Sequence, residues 1–332
     1  MAAGALERIV VLGGGQLTPA VAEFGVNNEI EVQVFVGPRQ ADTVLLDGTR
    51  LSERLESMGA SFHVVESIRG IVDNGPYQLG GNGALAFSTG SPFIISQELI
   101  DTYGGRVINS HGAPLPQWRG GGGFSWRILA GDRRGHSCFH MVTPGIDEGD
   151  IIYQGAYEFP DSARYPRDYM AFATEHATAC IADLMAGILE GREFEFEVQD
   201  PAQATYFPRL HTASQAHIDW SWPGDAIERF VLAFSYPYDG AMTEIGGGPA
   251  RIFDCRFESG TAHDHMFFSG IVYRVHDETY HVACSGGSLM IEAQHLKHDD
   301  EISVGDRFVT PSHQLEAAIG SRVIYTARGL KQ

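Results

Sequence analysis

Patterns typical of buried strands and of amphipathic helices alternate along the first 190 residues. The apolar run Ile9-Val-Val-Leu12 predicts a buried strand, and Glu31-Val-Gln-Val-Phe-Val36 predicts a second one, with helical spacing from about Gln16 to Asn27 between them. Further strands are predicted at 61–65, 84–87, 106–109, 137–142 and 151–153, and helices at 50–58, 96–103 and 168–189. This alternation predicts an α/β fold with a Rossmann-like, mostly parallel sheet.

The pattern changes near residue 200. A polar stretch from Glu190 to Thr205 contains Pro201, and a helix is predicted from about Asp225 to Phe234. Short strand candidates follow at 241–245, 250–253, 270–275, 280–284 and 288–291, with glycines between them. Closely spaced short strands are typical of a small β-barrel. We therefore expect one domain over residues 1–200 and a second, OB-like barrel domain over residues 201–332.

The charge balance narrows the class of partner. The chain has 23 Lys and Arg against 42 Asp and Glu, a formal net charge of −19, and its only lysines are Lys297 and Lys331. Such a surface repels phosphate backbones, so long nucleic acid is not an expected partner. A small anion remains compatible, because one or two arginines are enough to bind it. The sequence contains no apolar run of about 18 residues and no leader-like start, so we expect a cytoplasmic protein without a membrane partner.

Three other features have ordinary structural interpretations. The turn Gly13-Gly-Gly-Gln16 departs from the GxGxxG spacing of dinucleotide-binding folds, which disfavours a nicotinamide-dependent dehydrogenase. His263-Asp-His265 and His295-x-x-His298 have no further ligands at a recognisable spacing, so no metal is expected. The four cysteines are far apart, without CxxC spacing, and we expect buried thiols.

Chemistry-bearing residues concentrate between positions 109 and 147. Asn109-Ser-His111 ends a predicted strand, and Asp147 lies in the turn Gly145-Ile-Asp147-Glu-Gly149. Acyl transfer needs these groups: an amide N–H can bind a developing oxyanion, an imidazole can move a proton, and a carboxylate can orient the imidazole. Ligand sites in parallel sheets lie beyond the carboxyl ends of the strands, which is where these residues fall.

These residues resemble those of the formyltransferases that use N10-formyltetrahydrofolate. That family, which includes the glycinamide ribonucleotide, methionyl-tRNA and sugar N-formyltransferases, has Asn-x-His, a Ser-Leu-Leu-Pro-type loop, Arg-Gly and Leu/Ile-Asp-x-Gly. The matching segments here are Asn109-Ser-His111, Leu115-Pro116, Arg119-Gly120 and Ile146-Asp147-Glu-Gly149. The loop departs from the family at Ala113 and Pro114, where a hydroxyl is lost. The segments 206–208, 217–221 and 233–237 resemble the start of the barrel domain in the tRNA and sugar enzymes.

The resemblance implies a formyltransferase with N10-formyltetrahydrofolate as co-substrate and a formyltransferase catalytic domain over residues 1–200. It implies Asn109, His111 and Asp147 as catalytic residues. It places the pterin between a strand-end segment and a turn, with binding residues Phe93, Ile94, Ile95, Val142, Thr143, Pro144, Gly145 and Ile146. From the glycine-rich loop after Arg119 we predict the acceptor-binding residues Arg119, Gly122, Phe124 and Trp126. Family analogy also suggests a homodimer.

Three hypotheses remain for the acceptor. The loop Gly120-Gly-Gly-Gly-Phe-Ser-Trp126 is most similar to uncharacterised and sugar-type members, and the acidic surface suits a small acceptor, so we expect a primary amine on a nucleotide-linked sugar. Methionyl-tRNA as acceptor would require a basic face, whereas residues 201–332 contain 10 basic and 16 acidic residues. The third hypothesis is a formyltetrahydrofolate hydrolase, or a non-catalytic relative that keeps the folate site.

Overall fold

Strands and helices alternate as far as residue 189 in the computed structural model, which describes residues 6–69, 80–81, 83–121, 123–260, 265–326 and 329–330. The strands are β1 (Arg8–Leu12), β2 (Glu31–Val36), β3 (Ser61–Val64), β4 (Ala84–Thr89), β5 (Val107–His111), β6 (Arg119–Gly120), β7 (Arg134–Met141) and β8 (Ile151–Glu158). The helices are α1 (Thr18–Asn27), α2 (Leu51–Met58), α3 (Gln97–Thr102), α4 (Gly123–Ala130) and α5 (Pro166–Leu189).

The central sheet has the strand order β3-β2-β1-β4-β5-β7-β8 within the described ranges. The first five strands pair in parallel, and β7 and β8 are antiparallel additions at one edge. The last four residues of β1 are apolar and buried, and all six residues of β4 are buried, as expected for strands covered on both faces. The predicted α/β class and mostly parallel sheet are therefore confirmed, whereas the antiparallel edge was not predicted.

Local signals explain where helices near the site begin and end. The Ser96 hydroxyl accepts a hydrogen bond from the backbone N–H of Leu99, which caps α3, and Gly104 and Gly105 follow the helix with positive φ angles. Along the long helix α5, Ile181, Leu184 and Met185 are buried against the sheet. Their spacing near 3.6 residues produces the apolar stripe that anchors this helix.

Most strands in the rest of the chain pair in antiparallel sheets, whereas the strand Tyr206–Phe207 pairs in parallel with β6. Its strands are β9 (Tyr206–Phe207), β10 (Ala241–Ile245), β11 (Gly248–Ile252), β12 (Arg256–Ser259), β13 (Val272–His276), β14 (Thr279–Cys284), β15 (Gly287–Glu292), β16 (Leu296–Lys297), β17 (Phe308–Val309), β18 (Tyr325–Thr326) and β19 (Gly329–Leu330). Its helices are α6 (Thr212–Gln215), α7 (Gly224–Ala233) and α8 (Ser312–Gly320). The sheets run β16-β11-β10-β17 and β12-β15-β14-β13, and a backbone bridge between Ile271 and Arg307 joins them. This supports the predicted small β domain, although β12 and α8 were not predicted.

One apolar core crosses the predicted boundary at residue 200. Phe159 and Tyr169 belong to the same buried cluster as Ile227 and Phe230 of α7. The two parts of the chain therefore pack against each other, while the boundary itself stays a prediction. None of the helices in the described ranges is long and apolar enough to span a membrane. Three of the four free cysteines are buried, and Cys180 is half-buried.

Candidate active site

Two neighbouring strands bring the predicted catalytic residues together. Asn109 lies directly opposite His140 where β5 and β7 pair in antiparallel register, so the two side chains share one face of the sheet. The turn after β7 returns Asp147 to the same place, since its carboxylate lies within 3.6 Å of both His111 and His140. The structure thus gathers Asn109, His111 and Asp147 at the carboxyl end of β5, as the sequence predicts.

The backbone of two turns fixes Asp147. Its φ is +51°, in the left-handed region that Asp adopts more readily than most residues, and this conformation directs the carboxylate back toward β5. Oδ2 accepts a hydrogen bond of 2.8 Å from the backbone N–H of Gly120. Gln199 donates to the carbonyl oxygens of Asp147 and Gly149, which holds the turn from below. The carboxylate therefore has a defined position.

The imidazole of His111 faces an oxygen atom on each side. Nε2 lies 2.8 Å from the Trp118 carbonyl oxygen and Nδ1 lies 3.6 Å from Oδ2 of Asp147. A neutral ring that donates from Nε2 leaves a lone pair at Nδ1 beside the carboxylate, whereas an imidazolium can donate to both oxygens. The surroundings therefore stabilise a proton added at Nδ1.

Burial and neighbouring groups together determine the charges of His111 and Asp147 at neutral pH. Burial lowers the pKa of His111 below its usual value, and the negative charge of Asp147 opposes this effect. For Asp147, burial alone would raise the pKa, but the contact with His140, the charge of His111 and the Gly120 N–H together lower it to about 2. At neutral pH the site therefore pairs a neutral imidazole with an ionised carboxylate.

His140 belongs to this site although sequence reasoning did not select it. It is only 2% exposed, and its Nδ1 lies 2.8 Å from the Met141 carbonyl oxygen, so the proton is on Nδ1. Nε2 then accepts from the amide nitrogen of Asn109 at 3.0 Å. The available signal was the alternation along Ser137–Val142, which places His140 at the strand end beside the Asp147 turn.

A first cavity of about 340 Å³ opens at the strand ends. Its walls include Asn109, His111, His140 and Asp147, with Arg209 approaching from the second half of the chain. The residues predicted to bind the pterin all line it, namely Phe93, Ile94, Ile95, Val142, Thr143, Pro144, Gly145 and Ile146. Ile94 is 94% exposed at its rim. The structure brings these residues together, and their binding role stays a prediction.

A second cavity of about 200 Å³ also borders His111. It shares Gly90, Ser110 and His111 with the first cavity, and extends between the glycine-rich turn after β1, Phe124 of α4 and one face of α5. The turn itself is tightly packed, because a Cβ on Gly13 (φ +120°) would meet Ser91 Cα at 2.8 Å. Two compartments therefore meet at the predicted catalytic histidine.

The predicted acceptor-binding residues do not all lie at the two cavities. Phe124 lines the second cavity, whereas Gly122 lies outside the described residues. Arg119 donates two hydrogen bonds to Oε1 of Gln199, and the Trp126 indole N–H donates to the Pro208 carbonyl oxygen. Neither Arg119 nor Trp126 is among the described residues that line the two cavities. These contacts brace the Asp147 turn and the loop, and give no support to acceptor binding by these two residues.

The histidine pairs noted in the sequence do not form a metal centre in the described part of the chain. His265 caps a short turn through Phe267 N, and His298 contacts the Pro249 carbonyl oxygen. His263 and Asp264 lie outside the described residues. Among the residues that the structure describes, no group of three or more His, Cys, Asp or Glu side chains is suitably placed to hold a metal ion.

Curated relatives share the name methionyl-tRNA formyltransferase. The protein of that name from Nitrosococcus oceani (strain ATCC 19707 / BCRC 17464 / JCM 30415 / NCIMB 11848 / C-107) is 30% identical over 190 residues, 56% of this chain and 56% of that protein. The one from Cereibacter sphaeroides (strain ATCC 17025 / ATH 2.4.3) is 24% identical over 292 residues, 86% and 89% of the two chains. The match to the first relative thus spans little more than half its length.

A solved structure shares the fold. The N-formyltransferase from Helicobacter canadensis, solved with folinic acid and dTDP-3-aminofucose, superimposes with a TM-score of 0.64 at 14% identity, over 86% of this chain and 99% of that one. Two family models also match: formyl transferase over residues 90–163 and formyl transferase, C-terminal domain, over residues 211–309. Together these segments cover just over half of the sequence, and the first contains Asn109, His111 and Asp147. The chain therefore belongs to the formyl transferase family.

Proposed function

We propose that this protein transfers a formyl group from N10-formyltetrahydrofolate to a primary amine. The observation that carries the proposal is the meeting of two cavities at His111, with Asn109 and Asp147 beside it. Group transfer requires a donor and an acceptor to reach one reacting carbon from different sides. The amide, imidazole and carboxylate at this junction are the groups that acyl transfer requires.

The first cavity is the proposed site of the folate donor. Its apolar rim, with Phe93, Ile94 and Ile146, suits a flat pterin and its aromatic tail. The Helicobacter canadensis N-formyltransferase was solved with folinic acid, a formylated folate, which supports a folate donor for the same fold. Arg209 supplies a cation at this cavity in a chain of net charge −19, and a folate carries carboxylates that such a cation would attract.

The proposed reaction begins with attack of the acceptor amine on the formyl carbon. The new C–N bond places negative charge on the formyl oxygen, which the Asn109 amide N–H stabilises, and the imidazolium formed when His111 takes the proton adds stabilisation through its charge. His111, oriented by Asp147, moves the proton that the attacking amine releases to the folate nitrogen. The bond between the formyl carbon and that nitrogen then breaks, and the products are the formamide and tetrahydrofolate.

For the acceptor we propose an amino group on a nucleotide-linked sugar. The Helicobacter canadensis neighbour was solved with such a molecule, dTDP-3-aminofucose. A small acceptor also fits the acidic chain, in which residues 201–332 contain 10 basic and 16 acidic residues.

Methionyl-tRNA is the second candidate acceptor. The observation that favours it is the name of the curated relatives from Nitrosococcus oceani and Cereibacter sphaeroides. The acidic second half of the chain argues against it, because binding of a tRNA backbone depends on basic side chains.

The deciding experiment supplies N10-formyltetrahydrofolate with a panel of nucleotide-linked amino sugars, and separately with initiator methionyl-tRNA. Free tetrahydrofolate and the mass of the product are both measured. A formylated sugar supports the first acceptor, and formylated methionyl-tRNA replaces it with the second. Tetrahydrofolate released without any formylated amine would instead indicate a hydrolase and overturn the transfer proposal.

A further inference from the structure

We propose that the segment 205–207, which lies between the two halves of the chain, selects the tautomer of His111 by holding the Trp118 carbonyl group against Nε2. This inference rests on the proposed function and adds two positioning residues, Thr205 and Phe207, to its site. A neutral imidazole can accept a proton at Nδ1 only when its own proton is on Nε2. The support of the Trp118 carbonyl group therefore bears on the proton transfer itself.

Two oxygen atoms compete for the single proton of the neutral His111 ring. The Trp118 carbonyl oxygen lies 2.8 Å from Nε2, a normal hydrogen-bond length, whereas Oδ2 of Asp147 lies 3.6 Å from Nδ1, beyond that range. A carboxylate is ordinarily the stronger acceptor, so a ring without the Trp118 contact would donate from Nδ1 to Asp147. The position of the Trp118 carbonyl group therefore decides which nitrogen is free to accept a proton.

The backbone of Trp118 adopts a conformation that needs support from outside. Its φ is +67°, in the left-handed region that a bulky residue rarely adopts. Such a conformation persists only where the surrounding structure determines it. The place of the carbonyl oxygen beside His111 therefore depends on the contacts that Trp118 makes with other segments.

The segment 205–207 supplies these contacts. The Thr205 hydroxyl accepts a hydrogen bond of 3.0 Å from the Trp118 N–H, and the Thr205 carbonyl oxygen accepts one of 2.9 Å from the Arg119 N–H. The Arg119 N–H belongs to the same planar peptide unit as the Trp118 carbonyl group, so this bond orients that carbonyl directly. The Phe207 ring stacks on the Trp118 indole, with centroids 4.4 Å apart and planes 18° apart.

The same segment also helps to keep the Asp147 carboxylate away from Nδ1. Gly120 lies opposite Phe207 where β6 and β9 pair, and its N–H donates to Oδ2 of Asp147 at 2.8 Å. A displaced segment would move the Trp118 carbonyl group away from Nε2 and loosen the carboxylate beside Nδ1. Both changes favour a proton on Nδ1, and in that tautomer His111 cannot take the amine proton there.

Nitrogen-15 NMR of the histidine side chains measures the tautomer directly and without substrate. The chemical shift of an imidazole nitrogen depends strongly on whether it carries a proton, and His111→Gln identifies the His111 signals among the 14 histidines. At pH 8 the ring is neutral, because burial lowers the pKa of His111 below its usual value. We expect wild-type protein to have a protonated Nε2 and an unprotonated Nδ1.

Two substitutions weaken the support, and each has a matched control. Thr205→Val removes the acceptor of the Trp118 N–H at nearly constant volume, whereas Thr205→Ser keeps it. Phe207→Leu removes the stacked ring, whereas Phe207→Tyr keeps it. A hydrogen bond or an aromatic pair changes an equilibrium by about twofold to tenfold, so we expect each first variant to lower the ratio of the Nε2–H to the Nδ1–H form by that factor.

The double variant should show the largest shift. Thr205 is exposed, so water replaces part of the lost hydrogen bond in Thr205→Val, and the Arg127 guanidinium remains 5.3 Å from the Trp118 ring in Phe207→Leu. We expect the tautomer ratio to fall further in the double variant than in either single one. Across all variants kcat should follow the fraction of the Nε2–H form, with little change in the KM for N10-formyltetrahydrofolate, and both controls should match the wild type.

A wild-type protein with its proton on Nδ1 would overturn the tautomer assignment. An unchanged tautomer ratio in the double variant would overturn the role of the segment, even if kcat were lower. A shifted ratio with an unchanged kcat would overturn its link to catalysis. Absence of a formylated product from every amine would overturn the proposed function, whereas the NMR measurement without substrate would still decide whether the segment sets the tautomer. Thermal unfolding of each variant identifies any protein that has simply failed to fold.

Discussion

The side-chain nitrogen of Asn109 lies 3.0 Å from Nε2 of His140, a buried histidine whose Nδ1 proton is committed to the Met141 carbonyl oxygen. In this tautomer Nε2 accepts from the Asn109 nitrogen, and that contact orients the amide. An amide that stabilises an oxyanion has to offer an N–H, so the orientation of Asn109 decides whether it can act. His140 thus serves as a positioning residue for Asn109.

Replacing His140 tests this role. His140→Leu removes the acceptor from Asn109, and we expect kcat to fall about tenfold to a hundredfold with little change in the KM for N10-formyltetrahydrofolate, as misplacement of a catalytic group does. His140→Gln keeps an acceptor oxygen, and should retain activity within about tenfold. Steady-state kinetics on both variants separates kcat from KM. Equal losses in the two variants, or a rise in KM alone, would contradict a positioning role.

Substitution of the three converging residues should remove transfer and leave the fold intact. Asn109→Ala and His111→Gln each delete a group proposed to stabilise the oxyanion, so we expect kcat to fall by about two to three orders of magnitude. Asp147→Asn should cost at least as much, because the amide cannot stabilise an imidazolium at His111. Product formation under single-turnover conditions measures each loss. Near-normal rates in Asn109→Ala would exclude its amide from the reaction.

Substitution of Gly120 tests whether its backbone N–H positions Asp147. Its φ is +95°, and a Cβ there would meet the Phe207 carbonyl oxygen at 2.6 Å as well as the Tyr206 ring. Gly120→Ala should therefore displace the N–H that binds Asp147, and we expect kcat to fall about tenfold to a hundredfold.

The control for Gly120 is Gly59, which follows α2. Its φ is +76°, but no atom lies within 4 Å of an added Cβ. Gly59→Ala should cost about 1 kcal/mol of stability and leave kcat unchanged. If both alanine variants keep full activity, the hydrogen bond from Gly120 N–H does not orient Asp147 for catalysis.

Local sequence signals predicted most of the regular elements. The apolar run at Ile9–Leu12, and the Ser96 cap with Gly104-Gly105, determine their own structure within a few residues, and β1 and α3 lie where these signals put them. The antiparallel direction of β7 and β8 depends on pairing between distant segments, and β12 and α8 have weak patterns of their own. Sequence periodicity alone contains no information on which strands become neighbours.

The candidate site, like the fold, could be predicted only where local sequence signals determine it. Asn109, His111 and Asp147 were selected because amide, imidazole and carboxylate occur on turns near one strand end. His140 was missed because its importance depends on the register that sets it opposite Asn109, 31 positions earlier in the chain. Arg119 was predicted to bind the acceptor together with the glycine-rich loop that follows it, yet its guanidinium hydrogen-bonds Gln199, which in turn donates to the Asp147 turn. A charge read from the sequence does not reveal which side of a loop it occupies.

The burial of His111 should also appear in the pH dependence of stability. Its pKa in the folded protein lies below the ordinary value of 6.5, so the unfolded chain binds a proton more readily than the folded one. The resulting stability is fully present above pH 6.5 and is lost as the pH falls through the folded-state pKa. The carboxylate of Asp147, with a pKa of about 2, titrates in a lower window and does not interfere between pH 7.5 and 5.5.

Thermal unfolding of the wild-type protein and of His111→Gln at pH 7.5 and 5.5 checks this expected loss of stability on acidification. Other histidines with lowered pKa values, such as His63 and His217, contribute equally to both proteins and cancel in the difference. We expect the wild-type Tm to fall more on acidification than the Tm of His111→Gln, because the glutamine binds no proton. Identical decreases would mean that His111 keeps an ordinary pKa in the folded protein. In that case part of the protein would enter the reaction with His111 already protonated at neutral pH, and only the rest could accept a proton at Nδ1.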